Sequence, residues 1–112
     1  MAKILQINYK LGIPASDFMK ASAPVAEIIA KAGGLGWKIW LVNETDQEGG
    51  GIYLFEDEDS LNAFLSGPVI AKLKAHPAVK ELSIKQFDVA GELSAVTRGP
   101  VAPARFLEKS RI

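Results

Sequence analysis

Four aromatic residues in two short stretches hold most of the chemical potential of this sequence: Trp37 and Trp40 in LGWKIW, and Tyr53 and Phe55 in GGIYLF. Planar apolar side chains can wall a pocket for a planar ligand. An indole N–H or a phenol O–H adds a polar tip that can hydrogen-bond a ligand oxygen while the ring stays buried. Trp40 and Tyr53 are the candidates for that double role, as possible neighbours across a hairpin, with Trp37 and Phe55 as further wall residues. Asn8, in mid-strand among apolar residues, is a third polar candidate, able to orient a carbonyl or peroxide oxygen. Each has a plainer reading. Aromatic residues supply much of the core and interface burial of small proteins, and a strand asparagine commonly pairs with backbone.

His76 is the only histidine and the only side chain whose unperturbed titration falls near neutrality. It can act as a general base or as an axial ligand to haem iron. It also precedes Pro77 at the end of a predicted helix, where histidine commonly caps the last turn or faces water. The acidic run from Glu56 to Asp59 lacks the alternating oxygen ligands of a calcium loop and reads as a solvated helix start. Gly33-Gly34-Leu35-Gly36 follows a helix and precedes a strand, the reverse of a dinucleotide fingerprint. Neither it nor the run Gly49 to Gly51 leads into the Lys-Ser/Thr of a phosphate loop. The sequence has no cysteine, hence no disulfide, thiolate metal site or cysteine nucleophile. With one histidine and no nucleotide fingerprint, it offers poor ligation for iron, copper or flavin, and no cofactor or metal is expected.

A chain of 112 residues makes one domain with a modest core, burying roughly two-thirds of its unfolded surface. Thirteen basic residues balance thirteen acidic ones, which leaves no footprint for nucleic acid or an anionic membrane and does little to oppose self-association. No apolar run approaches the roughly 20 residues of a membrane span. Gln6 and Asn8 break the apolar N-terminal stretch, which reads as a first strand rather than a signal peptide. A cytoplasmic location is expected by default.

The elements that must position these residues follow from periodicity. Lys3 to Tyr9 alternates as a first strand, with Leu5, Ile7 and Tyr9 on one face. A helix capped by Ser16 or Asp17 runs to about Ala32, kinked or tightened at Pro24, and Gly33-Gly34 stops it. Leu35 to Asn43 is a second strand, in which Trp37 and Trp40 have opposite parity and point to opposite faces. A polar, glycine-rich connection to Gly51 precedes a third strand from Ile52 to Phe55. A second helix begins near Glu58, with Asp57 as a cap candidate, and is interrupted at Gly67-Pro68. Val79 to Val89 is the fourth strand. The order β-α-β-β-α-β is the ferredoxin-like α+β arrangement, spanning residues 1–95. Its helices cover one sheet face. The strands are apolar on both, so the bare face calls for a second copy packed sheet to sheet, a two-fold homodimer. Residues 96–112 form a weakly basic C-terminal extension, either solvated or lying across a partner subunit, in which Ala104 to Ile112 could form a short helix.

The stretches Leu35-Gly36-Trp37-Lys38-Ile39-Trp40, Gly50-Gly51-Ile52-Tyr53-Leu54-Phe55-Glu56-Asp57-Glu58 and Lys85-Gln86-Phe87-Asp88-Val89 resemble the YdhR-type monooxygenase family of the dimeric α+β barrel superfamily, in order and at similar spacing over residues 3–95. The resemblance implies a homodimer whose two sheets form a barrel, with a cavity in each subunit. It also implies oxidation of a small electron-rich aromatic or enolisable compound without metal or flavin. The electron that ground-state O₂ requires would then come from the substrate as phenolate or enolate, within a site that shields the intermediates from water. A non-catalytic small-molecule binding or stress protein on the same scaffold is the alternative. A haem-binding relative using His76 is a third.

Overall fold

The computed structural model describes residues 2–101. Strands β1 (Lys3–Leu11), β2 (Leu35–Asn43), β3 (Glu48–Phe55) and β4 (Val79–Asp88) form one antiparallel sheet in the order β2-β3-β1-β4. Helices α1 (Ala15–Ala21), α2 (Ala23–Ala30), α3 (Glu58–Leu65) and α4 (Pro68–Ala75) lie between the strands in sequence, and a short α5 (Gly91–Val96) follows the last strand. This is the ferredoxin-like βαββαβ arrangement with each of its two helices divided in two.

Both divisions have local causes. Pro24 opens α2, where its missing N–H costs nothing. Ser22 closes α1, its amide donating to the Phe18 and Met19 carbonyls and its hydroxyl to the Phe18 carbonyl at 2.8 Å. Gly67 and Pro68 separate α3 from α4 in the same way. The expected cap at Ser16 or Asp17 is displaced: α1 starts at Ala15 behind Pro14, and the Ala15 N–H donates to the Gln47 side-chain carbonyl at 3.1 Å. Asp57 does cap α3, accepting from the Ser60 amide at 2.8 Å, and that hydrogen bond holds its carboxyl below the ordinary value.

β3 starts at Glu48, so the three glycines read as a loop belong to the strand. They are needed for close approach. A Cβ on Gly50 would run into the Ile7 backbone carbonyl, and one on Gly49 would sit 2.8 Å from the Tyr9 ring. The register gives each face its residues. Leu5 pairs with Tyr53 and Lys3 with Phe55 on the helix side, while Ile4 pairs with Leu54 on the other. Gly36 is an unpaired extra residue between the pairs Leu35–Phe55 and Trp37–Leu54. This bulge reverses the facing of the rest of β2. Lys38, opposite Tyr53, and Trp40, opposite Gly51, therefore face the helices.

The core lies between that face and the helices. It gathers Leu5, Ile7 and Leu11 of β1 and Phe55 of β3 with Phe18, Ile29, Leu61, Phe64 and Ile70 of the helices. Tyr53 stacks on Phe55, and Phe64 packs tilted against both, with centroids 5.2–6.2 Å apart. The second face carries Ile39 and Phe87 about half exposed (52% and 47%). The sequence did not indicate α5. Beyond it, the Pro100 carbonyl accepts a hydrogen bond from the Trp37 indole at 2.7 Å. The expected helix from Ala104 to Ile112 lies outside the described residues, as does most of the proposed extension.

Candidate active site

A cavity of about 330 Å³ lies between the sheet and the helices, lined by α1, α2 and α4 on one side and by β1, β2 and β3 on the other. That volume is at the lower end for small-molecule sites. Gly50 and Gly51 border it with backbone alone, and the missing side chain of Gly51, which is on the cavity face, leaves the room that the Lys38 stem takes. Ile7, Val25, Ile29, Val69 and Leu73 make its surface mostly apolar, and Trp40 and Tyr53 add aromatic wall.

Lys38 projects into this space. Its Nζ lies 3.2 Å from the centroid of the Trp40 ring and 4.5 Å from that of Tyr53. Its stem crosses Gly51, where an added Cβ would approach Lys38 Cε to 2.5 Å. Among the described residues Lys38 has no carboxylate partner and no side-chain hydrogen bond. Attraction to two ring faces offsets part of its lost hydration, but desolvation dominates and lowers its pKa from 10.5 to about 7. A side chain that is ordinarily a fixed cation thus becomes one that can give or take a proton near neutrality.

The other polar groups around the cavity are few. Burial pushes the Tyr9 phenol up to about 12. The Tyr53 phenol is raised further, by burial and then by its neighbour Tyr9, so both remain hydrogen-bond donors at neutral pH. Tyr9 packs edge-on to Phe18 at 5.6 Å, and Phe18 edge-on to His76 at 5.3 Å. His76 borders the cavity, with Lys72 one turn before it. The His76 Nδ1 accepts the Ala78 N–H at 3.1 Å. In the neutral ring this places the proton on Nε2, which then has no lone pair to offer iron. The arrangement therefore does not present His76 as an axial haem ligand. No cluster of His, Cys, Asp or Glu able to hold a metal occurs among the described residues.

Of the aromatic candidates, the fold brings Trp40 and Tyr53 together on the cavity wall. Phe55 lies farther along the same face in the core, stacked on Tyr53, and does not border the cavity. Trp37 is on the opposite face, its indole N–H engaged by Pro100. Asn8 is also on the opposite face, paired with Gly50 and Ser83, and accepts a hydrogen bond from the Gln6 amide at 3.0 Å. Neither can reach a ligand in this subunit's cavity. Reading for chemistry passed over Lys38 and Tyr9. The signal for Lys38 was present: it shares parity with Trp40 in a strand apolar on both faces, where a charge is out of place.

The sequence matches the family described as "Putative mono-oxygenase ydhR" over residues 4–100, and the chain belongs to that family. Its fold is shared with SnoaB, a cofactor-independent oxygenase from Streptomyces nogalater, at 17% identity and a TM-score of 0.64, over 79% of this chain and 92% of that one. It is shared also with MhuD, a haem-degrader from Mycobacterium tuberculosis with two haems bound in its active site, at 20% identity and a TM-score of 0.59, over 78% and 95%. No match is found among curated proteins.

Proposed function

We propose that this chain is an oxygenase that oxidises a small, planar, electron-rich aromatic or enolisable compound inside the cavity between sheet and helices, with the substrate as the source of electrons. The observation that carries the reading is the cavity itself: small, apolar, and walled by the Trp40 indole and the Tyr53 phenol. Family membership and the shared fold of a cofactor-independent oxygenase add support.

The electron count closes without a further reductant. Oxidation of a ring CH₂ to C=O releases four electrons, and reduction of O₂ to one product oxygen and one water takes four. The substrate first loses a proton to become a phenolate or enolate. One electron passes to O₂, the radical pair combines as a C–O bond, and loss of the remaining C–H proton breaks the O–O bond to leave the carbonyl and water. Trp40 holds the ring plane. The Tyr53 hydroxyl donates to the oxygen on which negative charge resides, and the apolar lining keeps water from the intermediates. Asn8 and Trp37 take no part within one subunit. The exposed apolar second face is the surface we assign to a second copy of the chain.

Oxygen uptake by purified protein, with a panel of anthrone-type and dihydroxynaphthalene substrates, tests this reading. The expected result is conversion to quinones above the autoxidation rate, insensitive to chelators and added flavin. Tyr53→Phe should slow it about tenfold, the worth of a hydrogen bond to a charged group. Rates at autoxidation across the panel would remove the oxygenase reading and favour a binding protein.

A further inference from the structure

We infer that Lys38 is the group that ionises the ligand: its amine takes the proton of an acidic O–H and stays beside the resulting anion, so the cavity selects planar hydroxyarenes and enols over neutral arenes. This rests on the cavity being the substrate site, and it adds the proton acceptor and the ligand class.

The geometry supplies each part. The Nζ sits over the Trp40 ring at 3.2 Å and near the Tyr53 ring at 4.5 Å, so an aromatic ligand lying along the same walls brings its oxygen next to the amine. Among the described residues none provides a counter-ion: the salt bridges there involve Lys3 and Lys10 instead. A cation in apolar surroundings without an anion is a costly state, and an anionic ligand relieves it. The transfer balances simply: the ligand O–H bond breaks, an N–H bond forms, and a neutral amine with a neutral ligand becomes an ammonium–phenolate pair. No net charge enters the cavity. Lowering of the amine's pKa to about 7 by desolvation supports the assignment, since free amine is then available at neutral pH. The other titratable groups facing the site are the Tyr9 and Tyr53 phenols from β1 and β3, with Lys72 and His76 at the border from α4 and its end. Both phenols are pushed upward by burial, so neither competes as a base. Gly51 belongs to the same device, since it leaves the path along which the lysine stem reaches the cavity.

The test is anaerobic binding, which requires no turnover. 1-Naphthol and naphthalene are titrated into wild type and Lys38→Met, and the phenolate absorption band of bound naphthol is followed from pH 5 to pH 9. Wild type should hold naphthol as phenolate at a pH at least one unit below that of free naphthol. Lys38→Met should bind naphthalene normally, which reports an intact cavity, and lose the bound phenolate at least tenfold at pH 8. Lys38→Gln serves the same purpose if the methionine variant does not fold. Equal phenolate fractions in wild type and variant overturn the inference, as does naphthol bound by wild type only in its neutral form. If neither compound binds wild type, the inference falls together with the site. A lysine-dependent phenolate shift in a protein without oxygen uptake would keep this assignment and remove the oxygenase reading. Uptake that survives Lys38→Met unchanged would do the reverse.

Discussion

Lys38 costs the fold stability wherever it must be charged, and the sign of that cost can be measured. Its pKa is lowered from 10.5 to about 7 in the folded chain. Between those values the unfolded chain binds the proton and the folded chain does not, so this residue makes stability rise with pH from about 7 towards 10.5, and below 7, where both states hold the proton, its cost is complete and constant. Lys38→Met should therefore stabilise the protein at pH 6 by about 1–3 kcal/mol, allowing for the solvent contact the amine keeps through the cavity. The gain should shrink by pH 9. Urea unfolding at the two pH values checks this, and a variant less stable than wild type at pH 6 would contradict it. Stopping at pH 9 keeps the buried phenols out of the comparison. The His76 ring is fixed by a backbone hydrogen bond. With Nδ1 committed to Ala78, hemin added to wild type and to His76→Ala should give the same Soret spectrum, and a shift lost in the variant would show that the ring had turned.

At the scale of elements, β2 and β3 decide what the cavity contains. The bulge at Gly36 gives Lys38 and Trp40 to the cavity and Trp37 and Ile39 to the other face. The Asp57 cap starts α3 where the strand ends. Its carboxyl is held low by the Ser60 amide, so the cap contributes above pH 3.8 and is lost as pH falls through the lowered folded value. Asp57→Ala should lower the thermal midpoint at pH 7 and leave it nearly unchanged near pH 2. Gly50→Ala should cost more than about 2 kcal/mol, because the added Cβ meets the Ile7 backbone and neither strand can yield without breaking the ladder. Much of this was readable in advance. The glycine stop before it and the polar connection after it gave the β2 limits of Leu35 and Asn43, and parity gave the opposite facing of Trp37 and Trp40, because parity survives folding. The glycine strand was misread because Gly lacks the side-chain pattern by which strands are recognised, and only its partner β1 reveals why small residues are required. The bulge was equally hidden, since a single unpaired residue leaves no mark in hydrophobic periodicity. Asn8 was named and Lys38 passed over because spacing alone does not say which face of the sheet meets the helices.

For the whole molecule, no helix among the described residues is long and apolar enough to cross a membrane. Helices α1 to α4 pack on one side of the sheet; on the other Leu54 is buried and Pro100 meets Trp37, while Ile39 and Phe87 are left half exposed. A second copy on that face is the arrangement we propose. Sedimentation should give twice the 12.0 kDa chain mass, and Ile39→Asp should shift it towards monomer. Whether chemistry occurs in the cavity decides what the molecule does. The most direct measurement is mass spectrometry of the quinone formed under ¹⁸O₂ from an anthrone-type substrate, with wild type and Trp40→Ala compared against substrate alone. Oxygenase chemistry in the cavity predicts one ¹⁸O per quinone, formed by wild type well above the uncatalysed rate and by Trp40→Ala at least tenfold more slowly. Label accumulating no faster with wild type than without protein, or equally with Trp40→Ala, would contradict it.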